Sequence, residues 1–155
     1  VDFVFRRIRE RPRRGESWEA HARDRRKAVF REVSLEFGGA PVLTGHSADD
    51  QAETRLWRLF TGAFETLGRG ILPSHGVEVR PLLGIRREAL REFLREERET
   101  WREDSSNQNA RFLRTRLRRD LMPVIESLFP GAVEAINSVD RPERRGSRES
   151  HDSTS

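Results

Sequence analysis

The chain has 155 residues, of which 34% are hydrophobic and 36% charged, and its 30 basic and 26 acidic side chains give a formal net charge of +4. That length makes one domain, or one and a fragment, with a lean core to which part of so charged a chain does not belong. No cysteine is present, which excludes disulfides, thiolate metal sites and sulfur-carrying thiols. No apolar run reaches the ~20 residues that cross a bilayer, so a soluble, cytoplasmic protein without a membrane partner is expected.

Lys27 is the single lysine, so 29 of the 30 basic residues are arginine. A substitution habit and a solvated surface account for most of them. The sharper reading is an RNA or nucleotide partner, because the guanidinium fork suits phosphate and stacks on bases.

Val1 to Ile8, rich in Val and Phe, predicts a strand, and Arg9 to Gly15 a charged connector. Ser17 is a good N-cap for a helix from Trp18 to about Phe37, stopped by Gly38-Gly39. Trp18, Ala22, Val29 and Val33 recur at steps of four, seven and four as its buried stripe, with Arg25 or Arg26 in the gap. An arginine there must be paired, reach a ligand or snorkel to solvent. Pro41 to Leu43 is a short apolar run that reads as a strand. The polar stretch Thr44 to Thr54 (TGHSADDQAET) follows and turns helical with Leu56, Trp57, Leu59 and Phe60. Ligands of open α/β sheets sit beyond the carboxyl ends of strands, so this stretch is a site candidate.

Thr61 to Gly70, with three glycines, is either a mobile loop or an ordinary helix-to-strand connection. Val77 to Leu83 predicts a strand ending in a proline-restricted turn, and Arg86 to Glu99 a charged helix with Leu90, Phe93 and Leu94 on its apolar side. Trp101 to Asn107 is a polar turn. Phe112 to Asp120 predicts a helix with two rows, Leu113, Leu117 and Leu121 on one and Arg111, Arg114 and Arg118 on the other. Pro123 kinks or restarts it, Val124 to Leu128 and Ala132 to Ile136 are short helical pieces, and the residues from Val139 on form a disordered tail. Strands at Val1, Pro41 and Val77 alternate with helices at Trp18, Asp49 and Arg86, which predicts an α/β domain with a mainly parallel sheet. The expected organisation is residues 1–100, a helical segment 101–138 and the tail 139–155.

Asp50 and Glu53 lie three apart in the first turn of a helix, so their carboxylates share a face. Acids there complement the helix dipole, yet Asp49, Asp50 and Glu53 repel one another unless a cation joins them, and such a group suits Mg²⁺ or an ammonium group. His46 either orients a substrate, transfers a proton or is simply exposed. The row Arg111, Arg114 and Arg118 suits a triphosphate or an RNA backbone, or is a solvated face.

Six ordered motifs between about Glu19 and Pro123 resemble the tRNA(Ile)-lysidine synthase family of the PP-loop ATP pyrophosphatase superfamily. Glu19-Ala20-His21-Ala22-Arg23 with Arg26 is similar to its E-x-x-A-R-x-x-R helix, and Thr44 to Thr54 to its T-x-H-x-x-D-D-Q-x-E-T signature. Gly62 and Gly70 resemble its glycine-punctuated loop, Arg80 to Leu83 its R-P-L-L strand end and Trp101 to Asn107 its W-x-E-D-x-S-N turn. Arg114, Leu117 and Arg118 resemble its R-N-x-[IL]-R helix.

The resemblance implies a partial doubly wound sheet of the adenine nucleotide alpha hydrolase type. It also implies a ligase that uses ATP and Mg²⁺ to adenylate the C2 oxygen of the wobble cytidine in a CAU-anticodon tRNA(Ile), after which L-lysine displaces AMP. By position, His46, Asp49, Asp50 and Glu53 are catalytic, Asp50 and Glu53 bind the lysine ammonium groups, and Arg23, Arg26, Arg111, Arg114 and Arg118 serve nucleotide or tRNA. No protein ligands to a resident metal are implied, and a homodimer is left open. The family's S-G-G-x-D-S phosphate loop is missing, so a truncated or split member is expected, with an exposed sheet edge and poor stability on its own. Ser47 stands where many members carry a second His, Thr115 replaces an Asn and Lys27 an aromatic. One alternative is a non-catalytic arginine-rich RNA-binding fragment or pseudoenzyme. A tRNA thiolation enzyme is disfavoured by the absence of cysteine.

Overall fold

Ser17 starts the first helix as its side chain predicts: in the computed structural model its Oγ accepts the Ala20 amide at 3.1 Å. The structure describes residues 3–7, 10–12, 14–15, 17–63, 70–102 and 113–138. It divides into two units, residues 1–51 with 71–101 and residues 52–70 with 102–155. The expected tail from Val139, the greater part of the turn after Trp101, and Arg111 lie outside the described residues.

In the first unit, α1 runs Trp18–Glu36, and Gly38 and Gly39 end it at φ +67° and +84°. A Cβ at either glycine would meet nothing within 4 Å, so glycine is required there by backbone conformation and not by space. The expected buried stripe is only partly buried. Val29 and Val33 are half-buried, but Ala22 is exposed and Trp18 is 67% exposed. A 19-residue helix is about 28 Å long, whereas two-residue strands extend only about 7 Å, too short to cover it. Arg25 fills the gap in the stripe as a half-buried residue ion-paired with Glu10.

Strand β1 (Val42–Leu43) is followed by α2 (Ala48–Phe60), whose first residues, to Gln51, belong to the first unit and the rest to the second. Strands β2 (Ser74–His75) and β3 (Glu78–Val79) complete a sheet of order β1-β3-β2, in which β1 pairs parallel with β3 and β2 pairs antiparallel with it. The sheet is therefore mixed, not mainly parallel. An antiparallel pair needs only a short turn, here Gly76 and Val77 with Gly76 at φ +59°, whereas parallel neighbours need a long crossover. The strand expected over Val77 to Leu83 is limited to two residues, because Pro81 has no amide to continue the ladder. The strand expected at Val1 to Ile8 is not formed over residues 3–7. That segment is tied instead by Arg6, whose Nη2 reaches both Glu36 oxygens at 2.7 and 2.8 Å, and Phe3 and Phe5 are exposed. Helix α3 (Arg87–Glu96) closes the unit, with the guanidinium groups of Arg91 and Arg95 5.8 and 5.6 Å from the Trp101 ring centre.

The second unit contains the rest of α2, α4 (Leu113–Arg116), a π-helical turn (Leu117–Leu121), α5 (Met122–Leu128) and α6 (Ala132–Ser138). Its buried apolar residues are Ala52, Leu56, Leu117, Met122, Ala132 and Val133. Of the expected leucine row only Leu117 is buried, and Leu113 and Leu121 are 56% and 36% exposed. For Leu121 the π turn is the reason. The Met122 amide bonds to the Leu117 carbonyl, five residues back, so residues five apart share a face and Met122 takes the inward place expected of Leu121. Among the described residues no helix is long and apolar enough to cross a membrane.

Candidate functional site

The loop after β1 is positioned by backbone bonds. The Thr44 amide donates to Val79 at 2.9 Å, which extends the parallel ladder, and the Ala48 amide donates to Ile85 at 2.9 Å. Thr44 Oγ1 lies 3.0 Å from His46 Nδ1, so the half-buried imidazole is oriented by a hydroxyl.

Ser47 and Asp50 form a reciprocal capping pair. The Ser47 amide and hydroxyl donate to Asp50 Oδ2 at 2.9 and 2.8 Å, while the Asp50 amide donates back to Ser47 Oγ at 3.3 Å. Ser47, 2% exposed, is thus the residue that starts α2. The Ser-x-x-Asp spacing before an apolar run is visible in the sequence and went unread there. Asp50 Oδ1 also accepts from the Arg87 guanidinium at 3.2 Å.

Asp49 points to a different helix start. Its Oδ2 accepts the Arg87 amide at 2.6 Å and its Oδ1 the Arg86 guanidinium at 3.3 Å. Arg86, the N-cap of α3, offers no capping side chain of its own, so the carboxylate of Asp49 satisfies an otherwise orphan donor. Gln51 pairs both its amide atoms with the backbone of Ile71, donating to its carbonyl at 3.1 Å and accepting its amide.

Glu53 is 1% exposed and accepts from Arg118 Nε and Nη2 at 2.7 and 2.8 Å, a two-pronged ion pair inside the second unit. Beside it, Arg114 donates to Thr54 Oγ1, and the buried Arg55 donates to the Ile136 carbonyl at 2.7 Å. The repulsion expected among three neighbouring acids is therefore relieved by guanidinium and amide donors. Among the described residues no three His, Asp or Glu side chains gather to hold a metal ion. Asp49, Asp50 and Glu53, each already accepting a guanidinium, do not fit a Mg²⁺ site.

The structure joins Asp49 and Asp50 to Arg86 and Arg87, and Glu53 and Thr54 to Arg118 and Arg114. Arg23 and Arg26 stand exposed on α1. Sequence reading missed Arg86 and Arg87 as partners of the acids. It also missed Arg80, which braces Glu78 at 2.7 Å and the Leu72 carbonyl at 3.0 Å. Their signal, a charged residue just before or after a proline-bearing turn, does not name a partner.

Compared with known proteins, residues 2–125 match the PP-loop domain family. A tRNA(Ile)-lysidine synthase of Thermus thermophilus is 44% identical over 123 residues, 79% of this chain and 24% of that protein. One from Treponema pallidum is 40% identical over 118 residues, 76% and 25% of the two chains. One from Rhodopirellula baltica is 40% identical over 124 residues, 77% and 31%. The chain spans about a quarter to a third of the length of these curated relatives. With the family match covering most of its length, this chain belongs to the PP-loop domain family.

Proposed function

We propose that the chain is part of a cytoplasmic tRNA(Ile)-lysidine synthase that joins L-lysine to C2 of the wobble cytidine in a CAU-anticodon tRNA, using ATP. In that reaction AMP is joined to the C2 oxygen with release of pyrophosphate. The lysine amine then attacks C2, AMP leaves with the oxygen, and the amine loses a proton. The observation that carries the reading is 44% identity to a relative of that name over 79% of the chain.

In this reading Asp50 and Glu53 accept the ammonium groups of lysine. Each carboxylate already accepts a guanidinium, Arg87 on Asp50 and Arg118 on Glu53, so a lysine ammonium group displaces that guanidinium, whose charge a phosphate of the nucleotide or tRNA then offsets. His46 and Asp49 shape the same turn, and Arg23, Arg26, Arg111, Arg114 and Arg118 meet nucleotide phosphate or tRNA. A second reading, a non-catalytic RNA-binding protein, is favoured by the pairing of the described acids with arginines.

A chimera tests the choice, with the matched 123 residues of the Thermus thermophilus relative replaced by those of this chain. Mass spectrometry of the product tRNA is expected to show lysidine formation that requires both lysine and ATP. In that chimera Asp50→Asn should raise the KM for lysine about tenfold, the scale of one lost charged hydrogen bond. A folded chimera that binds tRNA and forms no lysidine overturns the reading in favour of the second.

A further inference from the structure

The second unit holds a cleft of about 340 Å³ between the end of α2 and the α4–π segment. Leu117 is its buried floor, Trp57 and Phe60 are aromatic walls 41% and 63% exposed, and Arg116 and Asp120 stand on its rim. We infer that this cleft takes an unpaired nucleobase of an RNA, stacked against Trp57 and Phe60. The inference rests on the RNA-binding part of the reading above and assigns it a surface.

Three features select this occupant. A nucleobase is flat and apolar on its faces but polar at its edge, as this cleft is apolar on its walls and charged at its rim. A purely apolar segment seated here would desolvate Arg116 and Asp120 without replacing their hydrogen bonds. Asp120 accepts from Arg119 at 2.7 Å and lies 3.7 Å from Arg116 Nε. The hydrogen bond from Arg119, reinforced by the charges of Arg119 and Arg116, holds its carboxyl below the ordinary carboxylate range. Asp120 is therefore an ionised acceptor at neutral pH, suited to the exocyclic amine of a base.

The third feature is charge. Leu113 to Leu121 carries Arg114, Arg116, Arg118 and Arg119 against Asp120, and with Glu53 paired to Arg118 the guanidinium groups still outnumber the acids. An RNA base brings its phosphate with it, and the excess of guanidinium groups matches that phosphate.

The test uses the full 155-residue chain carrying Trp18→Phe and Trp101→Phe, so that Trp57 alone reports. Single-stranded RNA is expected to quench its fluorescence, whereas an abasic ribose-phosphate oligomer of equal length binds without quenching. Trp57→Ala should weaken binding of the RNA about 5- to 150-fold, the range for one stacked base, and leave the abasic oligomer's affinity unchanged. Trp57→Phe should keep most of the RNA affinity, which separates lost stacking from lost folding. Arg116→Ala should weaken both oligomers alike.

Absence of quenching, or a Trp57→Ala variant that binds both oligomers as before, overturns the inference. So does a Trp57→Ala variant whose self-association changes while its RNA binding does not, since the cleft then seats a second copy of the chain. If the chimera forms lysidine and Trp57 does not stack, only this inference falls. If Trp57 stacks and the chimera forms no lysidine, only the ligase reading falls.

Discussion

Each of the two units is stabilised by its own chemistry. In the first, the buried residues are mainly polar, namely Ser34, Ser47, Gln51 and Glu78, with Ala48. In the second, among the described residues, apolar Ala52, Leu56, Leu117, Met122, Ala132 and Val133 are buried together with Thr54, Arg55 and the acid Glu53, 1% exposed and ion-paired with Arg118. Neighbouring acids on one helix therefore do different jobs. Asp49 and Asp50 satisfy backbone amides at helix starts, a role that needs an acceptor. Glu53, itself buried, neutralises the partly exposed guanidinium of Arg118, a role that needs a charge.

The strongest way to break this contrast is to remove the Glu53 charge alone. Glu53→Gln removes the buried carboxylate charge that pairs with Arg118, and the full chain should lose about 3 kcal/mol in urea unfolding. That is the low end for breaking a buried pair, because 36% of the Arg118 side chain remains in contact with water. A loss under about 1 kcal/mol would place Glu53 with the surface pairs. Next in size is Ser47→Ala, which removes the cap of α2 and should cost about 1 kcal/mol at an unchanged m-value. The smallest effect is expected from Asp49→Asn, within about 0.5 kcal/mol, since an amide oxygen can still accept the Arg87 amide. If Asp49→Asn instead cost as much as Glu53→Gln, charge and not capping would be the role of Asp49.

The helices and the start of the site were legible because their signals are local. Ser17 and Gly38-Gly39 bound α1 through their own side chains and dihedrals, and the acidic turn stands at the start of α2 as its composition implies. What could not be read was long-range. Arg87 meets Asp50 across 37 residues and Arg118 meets Glu53 across 65, and no periodicity reports such pairings. The sheet was misjudged for a related reason: β2 is two residues long with no apolar alternation, so only its hairpin turn at Gly76 marks it. The leucine row failed at Leu121 through a change of helical period, which leaves no imprint in residue type.

That change of period has a bearing on alignment. A π turn is an α turn with one residue inserted, so the segment Leu117–Leu121 carries what amounts to a single-residue insertion absorbed without a loop. Deleting Arg119 should let α4 run into α5 as one continuous α-helix. Met122 would then follow Leu117 by four residues of α-helix and keep the inward place that the π turn now gives it. A relative that lacked the extra residue would therefore keep both the Arg118 contact with Glu53 and the inward face from Met122 onward, and a gap placed in a neighbouring loop would misalign the two.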